Sequence, residues 1–321
     1  ALNSDARCEF FFDLERSLFR DNIRRSNDHV FVCGLARAGT TIVMRSLYNT
    51  GRFSSLTYRD MPFPLMLNAW KRLSSRGQTG MQETERAHGD GLYVDYDSPE
   101  ALEEVFWRAF VGYDYIGSNT LSAHQIDQEI IDKFEDYVAL INLRREKRRY
   151  LSKNNNNILR SDVLARAFPD ASIVIPFRHP LAQSLSLLAQ HERFKETHRD
   201  DPFSRKYMDW LVHHEFGSNH KPFCFENGRP RTDNADTNSI QYWLELWMDA
   251  YEALLEKHRD TSNVFFLCYE DICSPQHGNQ VWERLCSVLE VSPGTPDFMA
   301  SNTRASDEGV ESLARRAREL Y

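Results

Sequence analysis

The sequence predicts an α/β fold of the P-loop-like, three-layer kind, in which a central parallel sheet is flanked by helices. Short runs rich in β-branched and aromatic residues, at 29–33, 173–177 and 263–269, have the length and composition of buried strands. Segments with apolar residues at helical spacing separate these runs. Strands that alternate with helices form a parallel sheet with helices on both faces, and such sheets bind ligands beyond the carboxyl ends of their strands.

The predicted elements follow one another without internal repeats or long linkers, so we expect a single domain that spans residues 1–321. Two segments, 55–125 and 191–236, interrupt the alternation and are interpreted as inserts. Helices are predicted at 8–25, 42–47, 99–110, 126–150, 162–168, 204–214, 239–258, 277–290 and 306–321, with another that begins at 180, and a short strand is predicted at 157–159. The long helix at 126–150 ends in a basic run, which favours a helix carboxyl terminus.

Composition and charge argue against several classes of protein. The chain has 321 residues, of which 41% are hydrophobic, and a net charge of −8. The acidic balance argues against a nucleic-acid-binding protein, although it is compatible with one local basic pocket for a nucleotide. Nothing approaches about 18 uninterrupted apolar residues, so we expect no membrane span. Residues 1–28 show no secretory signal.

The six cysteines, at positions 8, 33, 224, 268, 273 and 286, are scattered and form no Cys-x-x-Cys pair. This spacing predicts buried reduced thiols rather than a metal site or a disulfide framework. The adjacent His213 and His214 would point in different directions on a helix, which disfavours joint metal binding. We therefore expect no metal, and a cytoplasmic location.

Residues 34–41, Gly-Leu-Ala-Arg-Ala-Gly-Thr-Thr, lie between a predicted strand and a predicted helix. A Gly-rich turn at such a junction directs backbone N–H groups and the positive end of the helix dipole at an anion. Gly34 and Gly39 have the spacing of a nucleoside-triphosphatase loop, but Thr40 stands where that motif has lysine. The cation of this loop is Arg37 instead. The motif therefore predicts an anion site that does not take the γ-phosphate of ATP with Mg²⁺.

The run Arg37-Ala38-Gly39-Thr40-Thr41 resembles the [KR]-x-G-[ST]-[ST] loop of sulfotransferases. The resemblance implies that this loop holds the 5′-phosphosulfate of 3′-phosphoadenosine 5′-phosphosulfate (PAPS), with the two threonine hydroxyls as further donors. Either threonine could equally cap the helix. PAPS would then be the sulfuryl donor, and adenosine 3′,5′-bisphosphate (PAP) the product.

A second strand-to-helix junction carries Arg178 at the end of the run 173–177, and Ser186 two turns into the helix that follows. The planar fork of an arginine can bind a phosphate through two hydrogen bonds. The pattern strand-Arg-x(7)-Ser-helix resembles the 3′-phosphate site of sulfotransferases. The resemblance implies that Arg178 and Ser186 bind the 3′-phosphate of PAPS.

Lys153, upstream of that strand, resembles the lysine with which sulfotransferases contact the bridging oxygen or the sulfuryl group. As a compact point charge, it can stabilise the charge on a leaving phosphate. The segment 265–272 also resembles the late strand of the family, which ends in Tyr-Glu-Asp. The resemblance covers residues 29–290 and is nearest to bacterial-type enzymes that act on glycans or other large acceptors.

The resemblance leaves two candidates for the base that takes the proton of the acceptor hydroxyl. Asp60 lies beyond the phosphosulfate loop, where related enzymes have a carboxylate, usually a glutamate. An Asp followed closely by Pro is also a typical helix N-cap. His88 is the alternative, since histidine has a pKa suited to the task. The expected catalytic residues are therefore Lys153 and either Asp60 or His88.

The sequence thus predicts a PAPS-dependent sulfotransferase that acts on a carbohydrate hydroxyl by in-line displacement. The sulfuryl group of PAPS carries one negative charge, so no metal is expected to mask it. The inserts at 55–125 and 191–236 would form the acceptor side. Two alternatives stay open. One is a P-loop-type nucleotide kinase or hydrolase, which would need a lysine at position 40, and the other is a non-catalytic protein that binds adenosine bisphosphate.

Overall fold

A five-stranded sheet forms the centre of the protein. The computed structural model describes residues 3–74, 84–85, 93–94, 101–147, 149–225, 235–296, 298 and 308–321. The strands of this part are β1 (Val30–Val32), β2 (Phe53–Ser54), β3 (Thr84–Glu85), β4 (Tyr93–Val94), β5 (Leu121–Ser122), β6 (Arg149–Lys153), β7 (Ser172–Phe177), β8 (Phe223–Cys224) and β9 (Val264–Cys268).

The helices of the described part surround this sheet. They are α1 (Asp5–Leu18), α2 (Thr40–Tyr48), α3 (Leu67–Ser74), α4 (Glu104–Tyr115), α5 (Gln128–Arg145), α6 (Ser161–Ala167), α7 (Pro180–Asp200), α8 (Pro202–Trp210), α9 (Ile240–Lys257), α10 (Tyr269–Ile272), α11 (Gly278–Val288) and α12 (Glu311–Leu320). Short 3₁₀ turns occupy Arg20–Asn22, Tyr58–Asp60 and Asn155–Leu159.

The central sheet has the order β2-β6-β1-β7-β9, and all of its neighbouring strands run parallel. Val30 of β1 is in register with Leu151 of β6 on one side and with Ser172 of β7 on the other. Since parallel strands end at the same edge of a sheet, the segments that follow β1, β6 and β7 lie side by side. The predicted central parallel sheet is confirmed.

Helices pack on both faces of the sheet because its inner strands bury both sets of alternating side chains. On one face, Phe31 and Ile173 join an apolar cluster with residues of α1, α4, α5, α7 and α9. On the other face, Val30, Val32 and Val174 pack against residues of α2 and α11. The result is the three-layer arrangement that the sequence predicts.

The prediction of one helix over residues 126–150 is wrong at its carboxyl end. α5 ends at Arg145, and Glu146, at φ 57, takes the left-handed conformation that ends many helices. The chain then forms β6, in which Tyr150 and Leu151 are both buried. Pairing with β1 and β2 stabilises this strand, a long-range contribution that the local basic pattern does not report.

The strand predicted at 157–159 is also wrong, because these residues lie in a 3₁₀ turn. Asn154 caps this turn by accepting a hydrogen bond from the backbone N–H of Asn156 at 3.1 Å. Asparagine favours such local bonds between side chain and backbone over strand formation. Other helices occur with shifted ends; the first, predicted at 8–25, ends at Leu18.

Three general features of the described residues bear on function. No helix among them is both long and apolar enough to cross a bilayer. None of their His, Cys, Asp and Glu side chains form a group of three or more that could hold a metal ion. All six cysteines are free thiols. The single domain and the two inserts stay predictions.

Burial lowers the pKa of several histidines, so these side chains are neutral at pH 7. The pKa of His29, His191 and His258 is about 4, and that of His220 is about 3, because burial disfavours the imidazolium ion. The unfolded chain protonates the same side chains near pH 6.5. Between these values the unfolded state binds more protons than the folded state, so stability falls as the pH falls.

We expect the free energy of unfolding to decrease steadily as the pH is lowered from about 6.5 to about 5. Unperturbed carboxylates titrate below this range, so the loss of stability within it comes from protonation of these histidines in the unfolded chain. Glu15 and Glu135, whose pKa burial raises, act in the opposite direction but are two groups against a larger number of histidines. Urea unfolding at half-unit pH steps measures the effect. A free energy of unfolding that stays constant over this range would contradict the burial of these histidines as neutral groups.

Candidate functional site

The loop after β1 has the backbone of an anion-binding turn. Arg37, at φ 67, and Gly39, at φ 91, both take left-handed conformations, which turn the chain sharply before α2. Gly39 is the N-cap of α2, so neither Thr40 nor Thr41 caps this helix, and Gly39 brings no side chain to do so. The positive end of the helix dipole and the first amides of α2 are therefore directed at this loop.

The loop is held in place on two sides. A Cβ atom at Gly39 would lie 2.4 Å from Cδ2 of Tyr269, so the tyrosine ring closes one side of the turn. On the other side, Gln183 of α7 is completely buried, and its Nε2 donates a hydrogen bond to the backbone oxygen of Ala36 at 3.0 Å. The Oε1 of Gln183 accepts from Nε1 of Trp247 at 3.0 Å. The loop conformation is thus fixed by packing and by buried hydrogen bonds.

The segment after β7 carries a second cation. Arg178 is 7% exposed, and its Nε lies 3.7 Å from Oε1 of Glu270. The same carboxylate accepts hydrogen bonds from the backbone N–H of His179, with both distances at 3.2 Å. Glu270 therefore holds the turn at the start of α7 and offsets part of the charge of the guanidinium group.

The loops after β1 and β7 contact each other directly. Nε of Arg37 donates a hydrogen bond of 3.0 Å to the hydroxyl oxygen of Ser186, which lies in α7. Ala38, between the two left-handed residues, is completely buried. A ligand with two anionic groups could therefore contact both loops at once. Arg178 adjoins the first loop through Tyr269, since its guanidinium carbon lies 5.8 Å from the centroid of the ring that packs against Gly39.

A third cation, Lys153, ends β6, which pairs with β1. The asparagines that follow it are buried. Asn155 accepts a hydrogen bond from Oγ1 of Thr40 at 3.4 Å. Nδ2 of Asn156 donates to the backbone oxygen of Val212 at 3.1 Å. The turn after Lys153 is therefore tied both to the start of α2 and to the chain that follows α8.

Two adjacent glutamates at the start of α4 support this turn from inside the protein. Glu104 pairs with Arg160 through hydrogen bonds of 2.8 and 3.0 Å, and both side chains are almost completely buried. Glu103 accepts from Nδ2 of Asn157 at 2.7 Å and from the hydroxyl of Ser152 at 2.5 Å. Burial raises the pKa of Glu104, but the charge and hydrogen bonds of Arg160 outweigh it and lower the pKa overall.

Glu215 joins this group of residues from the segment after α8. Nδ2 of Asn155 donates to Oε1 of Glu215 at 2.9 Å, so two hydrogen bonds connect Thr40 with Glu215. Burial raises the pKa of this carboxyl group, but His213, Lys153 and the hydrogen bonds that it accepts lower it, and the net shift is downward. The carboxylate is therefore ionised at neutral pH.

Asp60 is engaged in contacts that stabilise the fold. It is 1% exposed, and its Oδ2 accepts hydrogen bonds from the backbone N–H of Thr57 at 2.8 Å and from Arg145 at 3.2 Å. These contacts form a capping box around the 3₁₀ turn. The role of Asp60 as a base stays a prediction, and His88 lies outside the described residues.

Sequence reasoning missed three side chains that build this site: Gln183, Asn155 and Glu215. Asn155 belongs to a run of four asparagines directly after Lys153, and that run was a usable signal for a buried polar turn. Gln183 lies in an apolar helix, where a single amide can indicate a buried hydrogen bond. Glu215 has no local signal, because its partner Asn155 is 60 residues away in the chain.

Comparison with protein families gives one match. The model of the sulfotransferase family matches residues 29–221. This range begins just before β1, contains both loops and Lys153, and extends beyond Glu215. No curated protein matches the chain.

Several solved structures match this chain at low sequence identity and with TM-scores below 0.5. A sulfotransferase from Mycobacterium tuberculosis has 13% identity and a TM-score of 0.48, over 96% of this chain and 75% of that chain. One from Mycobacterium avium has 13% identity and a TM-score of 0.47, over 95% and 71%. One from Alicyclobacillus acidocaldarius has 14% identity and a TM-score of 0.42, over 93% of each chain.

We expect Gly39→Ala to destabilise the protein more than the matched substitution Gly51→Ala. Gly39 and Gly51 both have a positive φ, 91 and 72, but a Cβ atom at Gly51 would meet nothing within 4 Å. The left-handed backbone costs alanine about 1 kcal/mol at either site. At Gly39 the clash with Tyr269 should add about 1–3 kcal/mol. Urea unfolding measures both; equal losses would show that the ring does not close this side of the loop.

Glu104→Gln should destabilise the protein by about 3–5 kcal/mol, because it leaves the buried Arg160 without its charge partner. The matched control is Glu129→Gln, which removes a pair with Lys133 from a glutamate side chain that is 78% exposed. Exposed pairs contribute little, so we expect almost no change for this control. Urea unfolding measures the loss in the free energy of unfolding for both variants. A loss at Glu104 no larger than that of the control would contradict the buried pair.

Proposed function

The chain belongs to the sulfotransferase family, and we propose that it transfers the sulfuryl group of PAPS to a hydroxyl group of a carbohydrate. Membership of this family makes the protein a transferase, and the family implies PAPS as donor and PAP as product. The observation that carries the proposal is the meeting of three cations, Arg37, Lys153 and Arg178, at the carboxyl ends of neighbouring parallel strands.

The donor groups at this edge fit an adenosine that carries anionic groups at both ends. Each of two contacting loops offers one arginine, and the hydrogen bond from Arg37 to Ser186 joins the loops. Gly39 has no side chain, so the backbone of this turn can approach a ligand closely. We assign the 5′-phosphosulfate to residues 37–41, and the 3′-phosphate to Arg178 and Ser186.

The chemistry of the residues themselves suits sulfuryl transfer. When bound, PAPS supplies the sulfuryl group. Arg37, Lys153 and the first amides of α2 are assigned to stabilise the negative charge that grows on the phosphate side of the breaking bond. Because packing fixes the loop in advance, little reorganisation is needed during the reaction. For the proton of the acceptor hydroxyl, Asp60 and His88 stay predictions from the sequence.

A carbohydrate is the proposed acceptor, and the inserts at 55–125 and 191–236 are proposed to contact it. In the first insert, the half-buried rings of Phe63 and Trp70 pack together with centroids 4.8 Å apart. Aromatic faces of this kind can stack on the apolar faces of sugar rings. The free thiols of all six cysteines support the cytoplasm as the proposed location.

We expect PAP to raise the melting temperature of the protein more than ATP with Mg²⁺ does. Arg37→Ala and Arg178→Ala should each weaken PAP binding about 10- to 100-fold, since each removes a charge-assisted contact with a phosphate. Arg166→Ala, which removes a side chain 70% exposed on α6, is the control that should bind PAP normally. Thermal-shift titration measures all of these. Stabilisation by ATP with Mg²⁺ alone would favour the kinase or hydrolase alternative.

Transfer of label from PAPS to a panel of glycans, lipids and phenols tests the second half of the proposal. We expect incorporation into glycans, and loss of this incorporation in Arg37→Ala and Lys153→Ala. Transfer to phenols or lipids but not to glycans would overturn the acceptor class. Binding of PAP with no transfer to any acceptor would favour the non-catalytic alternative.

A further inference from the structure

Glu215 is half-buried and lies beside the anion-binding loop. Its Oε1 accepts from Asn155 at 2.9 Å, and Asn155 accepts from Thr40 at 3.4 Å. Thr40 is the first residue of α2, directly after the loop that carries Arg37. A carboxylate two hydrogen bonds from an anion site opposes the binding of the anion. A functional role for Glu215 would explain why a carboxylate occurs at a position that disfavours anion binding.

The segment that carries Glu215 is fixed on both sides. After it, the backbone N–H of Gly217 donates to Nδ1 of His191 at 3.2 Å. Before it, the backbone oxygen of Val212 accepts from Nδ2 of Asn156 at 3.1 Å. These contacts fix the backbone on both sides of Glu215, and the hydrogen bond from Asn155 orients its carboxylate. A group that exchanges a proton with a substrate needs such positioning.

The charges around Glu215 come from several elements. Burial raises the pKa of Glu215, whereas His213 and Lys153 lower it, and the net shift is downward. His214 and His220 also lie near it, and burial lowers the pKa of both, so they are neutral at pH 7. Glu215 is thus an unprotonated carboxylate close to Lys153, the lysine assigned to the reacting group.

We propose that Glu215 is the base that accepts the proton of the acceptor hydroxyl, an inference that rests on the proposed function. As Glu215 takes this proton, the hydroxyl oxygen forms a bond to sulfur. The bond from sulfur to the bridging oxygen breaks, and its electron pair stays on PAP. Arg37 and Lys153 offset the charge that PAP gains, and Glu215 later releases its proton to water. Asp60 is less suited, since it is 1% exposed and its Oδ2 already accepts from Thr57 and Arg145.

Glu215→Gln tests the proposal, because glutamine keeps the size of the side chain and an acceptor oxygen for Asn155. The probes are a methyl glycoside, whose hydroxyl needs a base, and 4-nitrophenol at a pH where it is already ionised. We expect transfer from PAPS to the glycoside to fall by about 10²- to 10⁴-fold, and transfer to the phenolate to fall by less than about tenfold. The control Glu196→Gln changes an exposed glutamate and should leave both rates unchanged. Equal losses for both acceptors would show a merely structural role and overturn the proposal.

Calorimetry of PAP binding at low salt gives a readout that needs no acceptor. Glu215→Gln removes a negative charge beside the anion site, so we expect it to bind PAP several-fold more tightly than the wild type, with the difference shrinking as salt is added. Unchanged or weaker binding would overturn the proposal for Glu215 alone. If the wild-type protein does not bind PAP at all, the proposed function itself fails.

Discussion

The parallel register of β6, β1 and β7 is the constraint on which the rest of the account depends. It brings the ends of three strands to one edge of the sheet, with Lys153 at the end of β6, Arg37 after β1 and Arg178 after β7. Cations held this close repel one another, and nearby carboxylates offset part of the repulsion: Glu270 lies beside Arg178, and Glu215 beside Lys153. A ligand with several negative charges would offset this repulsion, and the proposed nucleotide, with phosphates on the 3′ and 5′ carbons of its ribose, is such a ligand.

A buried polar network explains how the edge keeps its shape beyond β6. Residues 154–159 belong to neither a strand nor an α-helix, and side-chain hydrogen bonds that Asn154 and Asn157 donate to Glu103 and Glu104 hold them in place. Burying an ion pair such as Glu104 with Arg160 is costly, so we interpret the network as a device for positioning rather than for stability. It orients the turn that joins Lys153 to Asn155, and through Asn155 it reaches both Thr40 and Glu215.

The parts of this architecture that have local signals could be predicted from the sequence. The apolar runs of β1, β7 and β9, and the glycine spacing of the loop around Arg37, depend on neighbouring residues alone. The sequence does not predict β6 as a strand, because its basic first residue continues the pattern of the preceding helix. The strand conformation of β6 depends on its pairing with β1 and β2. The role of Glu215 could not be predicted, since it depends on the hydrogen bond with Asn155 and on the electrostatic effects of His213 and Lys153. Asp60 illustrates the reverse case. It lies at the sequence position expected for the base, but in the structure its carboxylate accepts a hydrogen bond from Arg145.

Calorimetry with three ligands tests most directly the claim that each loop binds its own end of one nucleotide. The ligands are PAP, adenosine 5′-monophosphate and adenosine 3′-monophosphate, each titrated into the wild type, Arg37→Ala and Arg178→Ala. The account predicts that Arg178→Ala weakens binding of PAP and the 3′-monophosphate by about tenfold or more and leaves binding of the 5′-monophosphate unchanged. It predicts that Arg37→Ala weakens binding of PAP and the 5′-monophosphate by about the same factor and leaves binding of the 3′-monophosphate unchanged. If Arg178→Ala weakened the 5′-monophosphate as much as it weakened PAP, the two loops would not bind separate phosphates, and the account would be contradicted.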